Sequence, residues 1–223
     1  CESTALGCNS SMTRPSLLDF VFPSRCAVCE AHGPNLCEDC QSVLEPLPHS
    51  FVRGPISGTA ATYRSPEISK LLVAFKDRGQ SALVRELTVL IAPLVFEVEQ
   101  FGECVYLVPA PSRTENFSKR GFIPGLLLAQ ALANLTKSAR VLNCLVLATE
   151  TKDQVGLSSA ERQANLSGSM RVNQSVIGKS CFVVDDICTT GATLIEAWRA
   201  LSLGGANVLG ALVVSEAKPA TAL

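Results

Sequence analysis

The residues best suited to chemistry in this 223-residue chain lie in two clusters. The first is Asp185-Asp186, at the end of the apolar run 181–184, followed after Ile187 and Cys188 by Thr189-Thr190-Gly191-Ala192-Thr193. A glycine among hydroxyl residues at the start of a helix lets backbone N–H groups approach a ligand closely, which makes an anion site suited to phosphate. Two carboxylates beside a phosphate would repel it unless they engage something else. The groups that need them are a pair of sugar hydroxyls or a Mg²⁺ ion. Acids and loop together describe a recogniser of ribose 5-phosphate. The bland alternative is a capped helix preceded by solvated acids.

The second cluster is Cys26-x-x-Cys29 with Cys37-x-x-Cys40. Paired knuckles of this spacing bring four thiolates round one tetrahedral Zn²⁺, and four cysteines leave no open position, so the metal would be structural. Two disulfides or four idle thiols are the competing readings. Of the ten cysteines, Cys104, Cys144 and Cys181 lie in or beside apolar runs and read as small core residues.

Stepping outward, the elements that must position these groups alternate in type. Residues 1–24 carry no clear period and read as a lead-in. Residues 25–41 form the zinc-binding module, too small to bury a core without metal. The segment 42–58 reads as a linker, because 45–58 holds three prolines and two glycines. Residues 59–223 form the main domain. Ser65 as N-cap and Pro66 at the first helical position open a helix with Ile68, Leu71, Leu72 and Phe75 on one face. A second helix is expected over about 80–96, and a short buried strand before Pro109 and Pro111. A helix follows from 122 or 125 to 135, then strands over 140–148 and 180–186, a helix over 191–203 and a last strand over 207–214. Such alternation predicts an α/β fold, a parallel sheet flanked by helices, with ligands bound beyond the carboxyl ends of the strands.

The bulk numbers agree with a soluble chain. It is 47% hydrophobic, with a formal net charge of −1, so no polyanion or membrane surface is advertised as a partner. The longest apolar runs fall short of the roughly 18–20 residues that span a bilayer, and no signal-peptide pattern is present. A cytoplasmic protein with no membrane association is expected.

The stretch "VVDDICTTGAT" resembles the 5-phosphoribosyl-1-pyrophosphate (PRPP) motif of type I phosphoribosyltransferases. The segments 107–122 and 149–168, with the cysteine knuckles, further resemble the ComF family of phosphoribosyltransferase-like proteins, over about residues 25–216. The resemblance implies the type I phosphoribosyltransferase fold, PRPP as ligand with Mg²⁺, and ribose hydroxyls held by Asp185 and Asp186. It also implies a 5-phosphate held by Thr189, Thr190, Gly191, Ala192 and Thr193. A pyrophosphate loop falls on Ala110-Pro111-Ser112-Arg113, with Arg113 as a catalytic cation. By similarity to amidophosphoribosyltransferases, Gln154, Arg162 and Asn165 are candidate lid residues, against an ordinary surface loop. Lys76 and Arg78, in a segment shared with the family, belong either to the site or to a helix C-terminus, where cations are favoured. Lys119 and Arg120 join Arg113 in a basic stretch suited to pyrophosphate or another polyanion, or simply solvated.

Two departures stand out. Ile123-Pro124 replaces the Asn-Gln usual after "RGF" in ComF relatives, and Thr189 stands where 6-oxopurine enzymes place an Asp, which argues against purine salvage. The implied activity is therefore transfer of phosphoribosyl to an unidentified nitrogen acceptor. The competing function is a non-catalytic PRPP- or nucleotide-binding accessory protein of single-stranded DNA uptake, partnered by a competence helicase. Charge gives the module itself no help as a DNA binder, since Arg25 faces Glu30, Glu38, Asp39 and Glu45.

Overall fold

A computed structural model describes residues 25–102, 104–112, 118, 120–147 and 168–217. Its frame is a six-stranded sheet. The strands are β1 (His49–Arg53), β2 (Ile56–Tyr63), β3 (Val105–Pro109), β4 (Ala139–Val141), β7 (Ser180–Cys188) and β8 (Asn207–Glu216), in the order β1-β2-β8-β7-β3-β4. All neighbours are parallel except the β1–β2 hairpin. A separate antiparallel pair joins β5 (Leu145–Leu147) to β6 (Met170–Val172).

Helices α1 (Glu38–Ser42), α2 (Pro66–Lys76), α3 (Val84–Ile91), α4 (Val95–Glu99), α5 (Pro124–Asn134) and α6 (Ala192–Leu203) complete the described regular structure, with 3₁₀ turns at Ser81–Leu83 and Ala92–Leu94. The central strands are apolar on both faces because both faces are covered. Phe182 and Val184 of β7, with Leu212 and Val214 of β8, pack on the α2, α3 and α5 side. Cys181 and Val183, with Ala211 and Val213, pack on the α6 side with Leu194, Ala197 and Leu201. The period of two in each strand thus sorts its side chains into two cores.

Local chemistry explains the helices. The Ser65 hydroxyl accepts from the Ile68 N–H at 3.2 Å and Pro66 sits in the first turn, as the sequence predicts for α2. The helix expected over 80–96 is broken at Ala92–Leu94, where Pro93 supplies no N–H for the helical ladder.

Two expectations need correction. Half of the linker 42–58 is sheet: Phe51 and Ile56 are buried, and Gly54-Pro55 is the turn of a hairpin between β1 and β2. Proline and glycine mark a tight turn there, not a tether. The strand expected over 140–148 is two strands. The Leu142 N–H makes the last bond to β3, at the Leu107 carbonyl (2.9 Å), and the Cys144 N–H turns back to the Leu142 carbonyl at 3.0 Å, sending β5 away to pair with β6.

Candidate functional site

Strand β7 runs two residues further than the acid pair, through Cys188, so Asp185 and Asp186 project to opposite faces near its carboxyl end. Asp186, 1% exposed, shares the face of Phe182 and Val184 and meets Lys76 from the last turn of α2. The Lys76 Nζ donates to Asp186 Oδ1 at 3.0 Å and lies 2.8 Å from Oδ2. Lys76 therefore belongs to the site rather than only to its helix terminus. The neighbouring carboxyl is tied locally: the Asp186 N–H donates to Asp185 Oδ1 at 2.8 Å.

Crowding two acids at one point has an electrostatic cost. Burial first, and the Asp186 carboxylate second, push the Asp185 carboxyl up to about 8, against the pull of Lys76. For Lys76, burial works against the charged form, but the Asp186 and Asp185 carboxylates outweigh it and hold the ammonium above the usual lysine value.

After β7 the chain passes exposed Thr189 and Thr190 to Gly191, the N-cap of α6, at φ +80°. That left-handed value favours glycine, and a second reason is steric. A Cβ at Gly191 would lie 2.6 Å from the Cβ of Arg53 and 2.7 Å from its Cγ. The Thr190 hydroxyl accepts from the Ala192 N–H at 3.4 Å, and the Gly191 carbonyl accepts the first helical bond, from the Ile195 N–H. The first-turn N–H groups of α6 have no helical carbonyl to bond and define an anion-accepting end.

The residues following β3 come to the same edge. The Ala110 N–H donates to the Val184 carbonyl at 2.9 Å, which places Ala110, Pro111 and Ser112 next to the residue before the acid pair. The N-terminus of α5 closes on them: a Cβ at Gly125 would lie 3.1 Å from the Val184 carbonyl oxygen and 3.4 Å from the Ala110 nitrogen, so glycine permits the approach. Arg120 donates to Asp77 Oδ1 at 2.8 Å, just beyond the end of α2. Arg113, Lys119 and the candidate lid residues Gln154, Arg162 and Asn165 lie outside the described residues.

The cysteine cluster is assembled from the turn 27–29 and the start of α1. The sulfur atoms of Cys26, Cys29, Cys37 and Cys40 all lie within 4.8 Å of one another, with Cys29 and Cys37 at 3.7 Å. A tetrahedral Zn–S₄ site with bonds of about 2.3 Å has sulfurs about 3.8 Å apart, so the donor set fits and can hold a metal ion. Burial raises the Cys26 thiol, but the backbone N–H groups of Cys29, Cys37 and Val28 outweigh it and lower it to about 6. Burial and the neighbouring thiols push the Cys40 thiol up.

Sequence reasoning missed Arg53, His49 and Glu216. Arg53 Nε donates to the Thr189 carbonyl at 3.3 Å, and Glu216, 5% exposed, pairs with Arg53 and with His49 Nε2, the latter at 3.0 Å. The one available signal was the alternation His49-x-Phe51-x-Arg53 of a half-buried strand, masked by the prolines around it.

A sheet whose central strand carries an acid pair near its carboxyl end and runs into a Thr-Gly loop at a helix N-terminus offers the donors and acceptors that a phosphorylated sugar needs. The phosphoribosyl transferase domain family matches residues 120–223. An adenine phosphoribosyltransferase of Polynucleobacter asymbioticus is 31% identical over 134 residues, 56% of this chain and 74% of that protein. The DNA utilization protein YhgH of Escherichia coli K12 is 26% identical over 90% of this chain and 86% of that protein. The corresponding protein of Salmonella typhi is 32% identical over 100 residues, and there the match spans less than half of its length, 44%. Among solved structures, the adenine phosphoribosyltransferase of Saccharomyces cerevisiae aligns with a TM-score of 0.41 at 18% identity, over 81% of this chain and 89% of that one. The chain belongs to the phosphoribosyltransferase family.

Proposed function

We propose that the chain binds PRPP and transfers its phosphoribosyl group to a nitrogen acceptor. The observation that carries this is the convergence of Asp185, Asp186 and the 189–193 loop at the end of β7, with Ala110, Pro111 and Ser112 beside them. In this reading the loop N–H groups and the hydroxyls of Thr189, Thr190 and Thr193 hold the 5-phosphate, and the acid pair accepts from the ribose hydroxyls. Ala110, Pro111, Ser112 and Arg113 receive the pyrophosphate, and Gln154, Arg162 and Asn165 close over the sugar. Mg²⁺ bound with PRPP would neutralise charge on the departing pyrophosphate. The chain's own contribution is to fix the anomeric carbon between leaving group and acceptor and to offset developing charge with Arg113. Lys76 has a further part: ribose hydroxyls that donate to Asp186 take over the carboxylate it now holds, freeing the ammonium to face the ligand's negative charge.

Zn²⁺ in the Cys26, Cys29, Cys37 and Cys40 cluster is structural in this reading. A second function is favoured by the name of the relatives matched over most of the chain, DNA utilization protein: a PRPP-binding accessory protein of single-stranded DNA uptake that does not turn over. Calorimetric titration with PRPP and Mg²⁺, followed by a pyrophosphate-release assay against a panel of bases and amines, separates the two. Binding with turnover supports the transferase, binding without turnover supports the accessory role, and no binding refutes both. The double variant Asp185→Asn, Asp186→Asn is expected to lose measurable PRPP binding while its circular dichroism spectrum is retained.

A further inference from the structure

We infer that Arg53, on the edge strand β1, is a positioning residue for the 5-phosphate loop, acting as a clamp between the Thr189 carbonyl and the buried Glu216 carboxylate. The inference rests on reading residues 189–193 as that loop. The stem of Arg53 occupies the space left by the missing side chain of Gly191, with its Cβ and Cγ 2.6 and 2.7 Å from where a Cβ would stand. From there each of its three guanidinium nitrogens donates to the protein. Nε donates to the Thr189 carbonyl at 3.3 Å, one terminal nitrogen donates to the Val52 carbonyl at 2.9 Å, and the other to the Glu216 carboxylate and, at 3.4 Å, the Ala217 carbonyl.

An arginine whose three nitrogens all donate to protein acceptors is held in place by the fold, so its part is to hold the loop. Glu216 is itself held. Its second oxygen meets His49 Nε2 at 3.0 Å, and the His49 ring stacks on Tyr63 with centroids 3.6 Å apart and planes 12° apart. Residues of β1, β2 and β8 thus converge on one peptide of the loop after β7. The consequence for an anion is direct. A carbonyl oxygen turned toward a bound phosphate repels it, whereas a Thr189 carbonyl bound to Arg53 is kept from turning, and N–H groups face the ligand instead.

The test uses two ligands that load different parts of the site: ribose 5-phosphate, which needs the loop, and inorganic pyrophosphate with Mg²⁺, which does not. By calorimetry Arg53→Met is expected to bind ribose 5-phosphate about tenfold more weakly, the scale of one lost charge-assisted hydrogen bond. Pyrophosphate affinity is expected to stay as in the wild type. Arg53→Lys should recover part of the loss because an ammonium still reaches one acceptor, and Glu216→Gln should weaken ribose 5-phosphate alone. If Arg53→Met does not fold, those two variants carry the same comparison. Undiminished ribose 5-phosphate binding in all the folded variants, or equal weakening of both ligands, overturns the clamp. A wild-type protein that does not bind ribose 5-phosphate overturns the loop reading itself and the clamp with it.

Discussion

Asp185 carries an acid's formula in a setting that disfavours its charge. Burial and then Asp186 push its carboxyl up to about 8, against roughly 3.9 in an unfolded chain. A folded value above the unfolded one means that its full contribution to stability is present below pH about 4 and is lost as pH rises toward 8. Asparagine mimics the neutral form without titrating. Thermal unfolding of Asp185→Asn and wild type, measured from pH 4 to 9, is expected to show the variant gaining on the wild type up to pH 8, with a constant difference above it. A gap of about 2–4 °C corresponds to each kcal/mol in a chain of this size. A gap that stays constant from pH 4 to 8 would contradict the buried, acid-crowded setting. The residue types and order of this site were legible in the sequence, since the acid pair ends an apolar run and the Thr-Gly loop comes only two residues later. What was not legible was partnership across the fold. Lys76 meets Asp186 over a separation of 110 residues, and no local pattern encodes such a distance.

At the scale of elements, α6 does more than present the phosphate loop. Its buried Glu196 accepts from the Met170 N–H at 2.8 Å, and Arg199 donates both to Glu196 and to the Met170 carbonyl, the latter at 2.8 Å. One helix thereby grips both backbone polar groups of the residue that opens β6, an edge strand with few other bonds. The side-chain hydrogen bond of Arg199 offsets burial and keeps the Glu196 carboxyl below its usual range. Glu196→Ala leaves a buried N–H without its acceptor, a loss of about 1–3 kcal/mol. Amide exchange at Met170 is expected to accelerate well beyond that of the β7 amides; equal protection factors in variant and wild type would show that the grip contributes nothing. The helices were the easiest elements to read, because caps and a 3.6-residue period are local. The β1–β2 hairpin was misread, since Gly54-Pro55 has the same composition in a tether as in a turn. Only the burial of Phe51 and Ile56 against a distant helix distinguishes them.

Across the whole molecule, the cysteine module is built into the main core. Cys26, Ala27, Val28, Leu36 and Cys40 belong to the same buried cluster as Leu71, Phe75 and Leu87 of α2 and α3. Metal bound there would stabilise this side of the sheet, not a detached finger. Chelation is therefore expected to lower the melting temperature of the entire chain in one cooperative transition and to raise the binding of a hydrophobic dye. Two separate transitions, the second unmoved by chelator, would show the module to be independent. Elemental analysis of the untreated protein should find about one zinc per chain. The sequence announced the four ligands clearly. Their contact with the core was hidden, because the short apolar residues between the knuckles carry no period of their own.

The strand order has a consequence for how the protein is made. β8 lies between β2 and β7, so Thr59 and Leu212, some 150 residues apart in the chain, become neighbours in the sheet. During synthesis from the N-terminus, β1 and β2 leave the ribosome with one edge unmet until β8, some 150 residues later, is translated. The same late strand brings Glu216, without which Arg53 lacks its anchor. A nascent chain therefore cannot complete its ligand cradle before β8 emerges, and the unpaired β2 edge is exposed to chaperones and to misassembly throughout that interval.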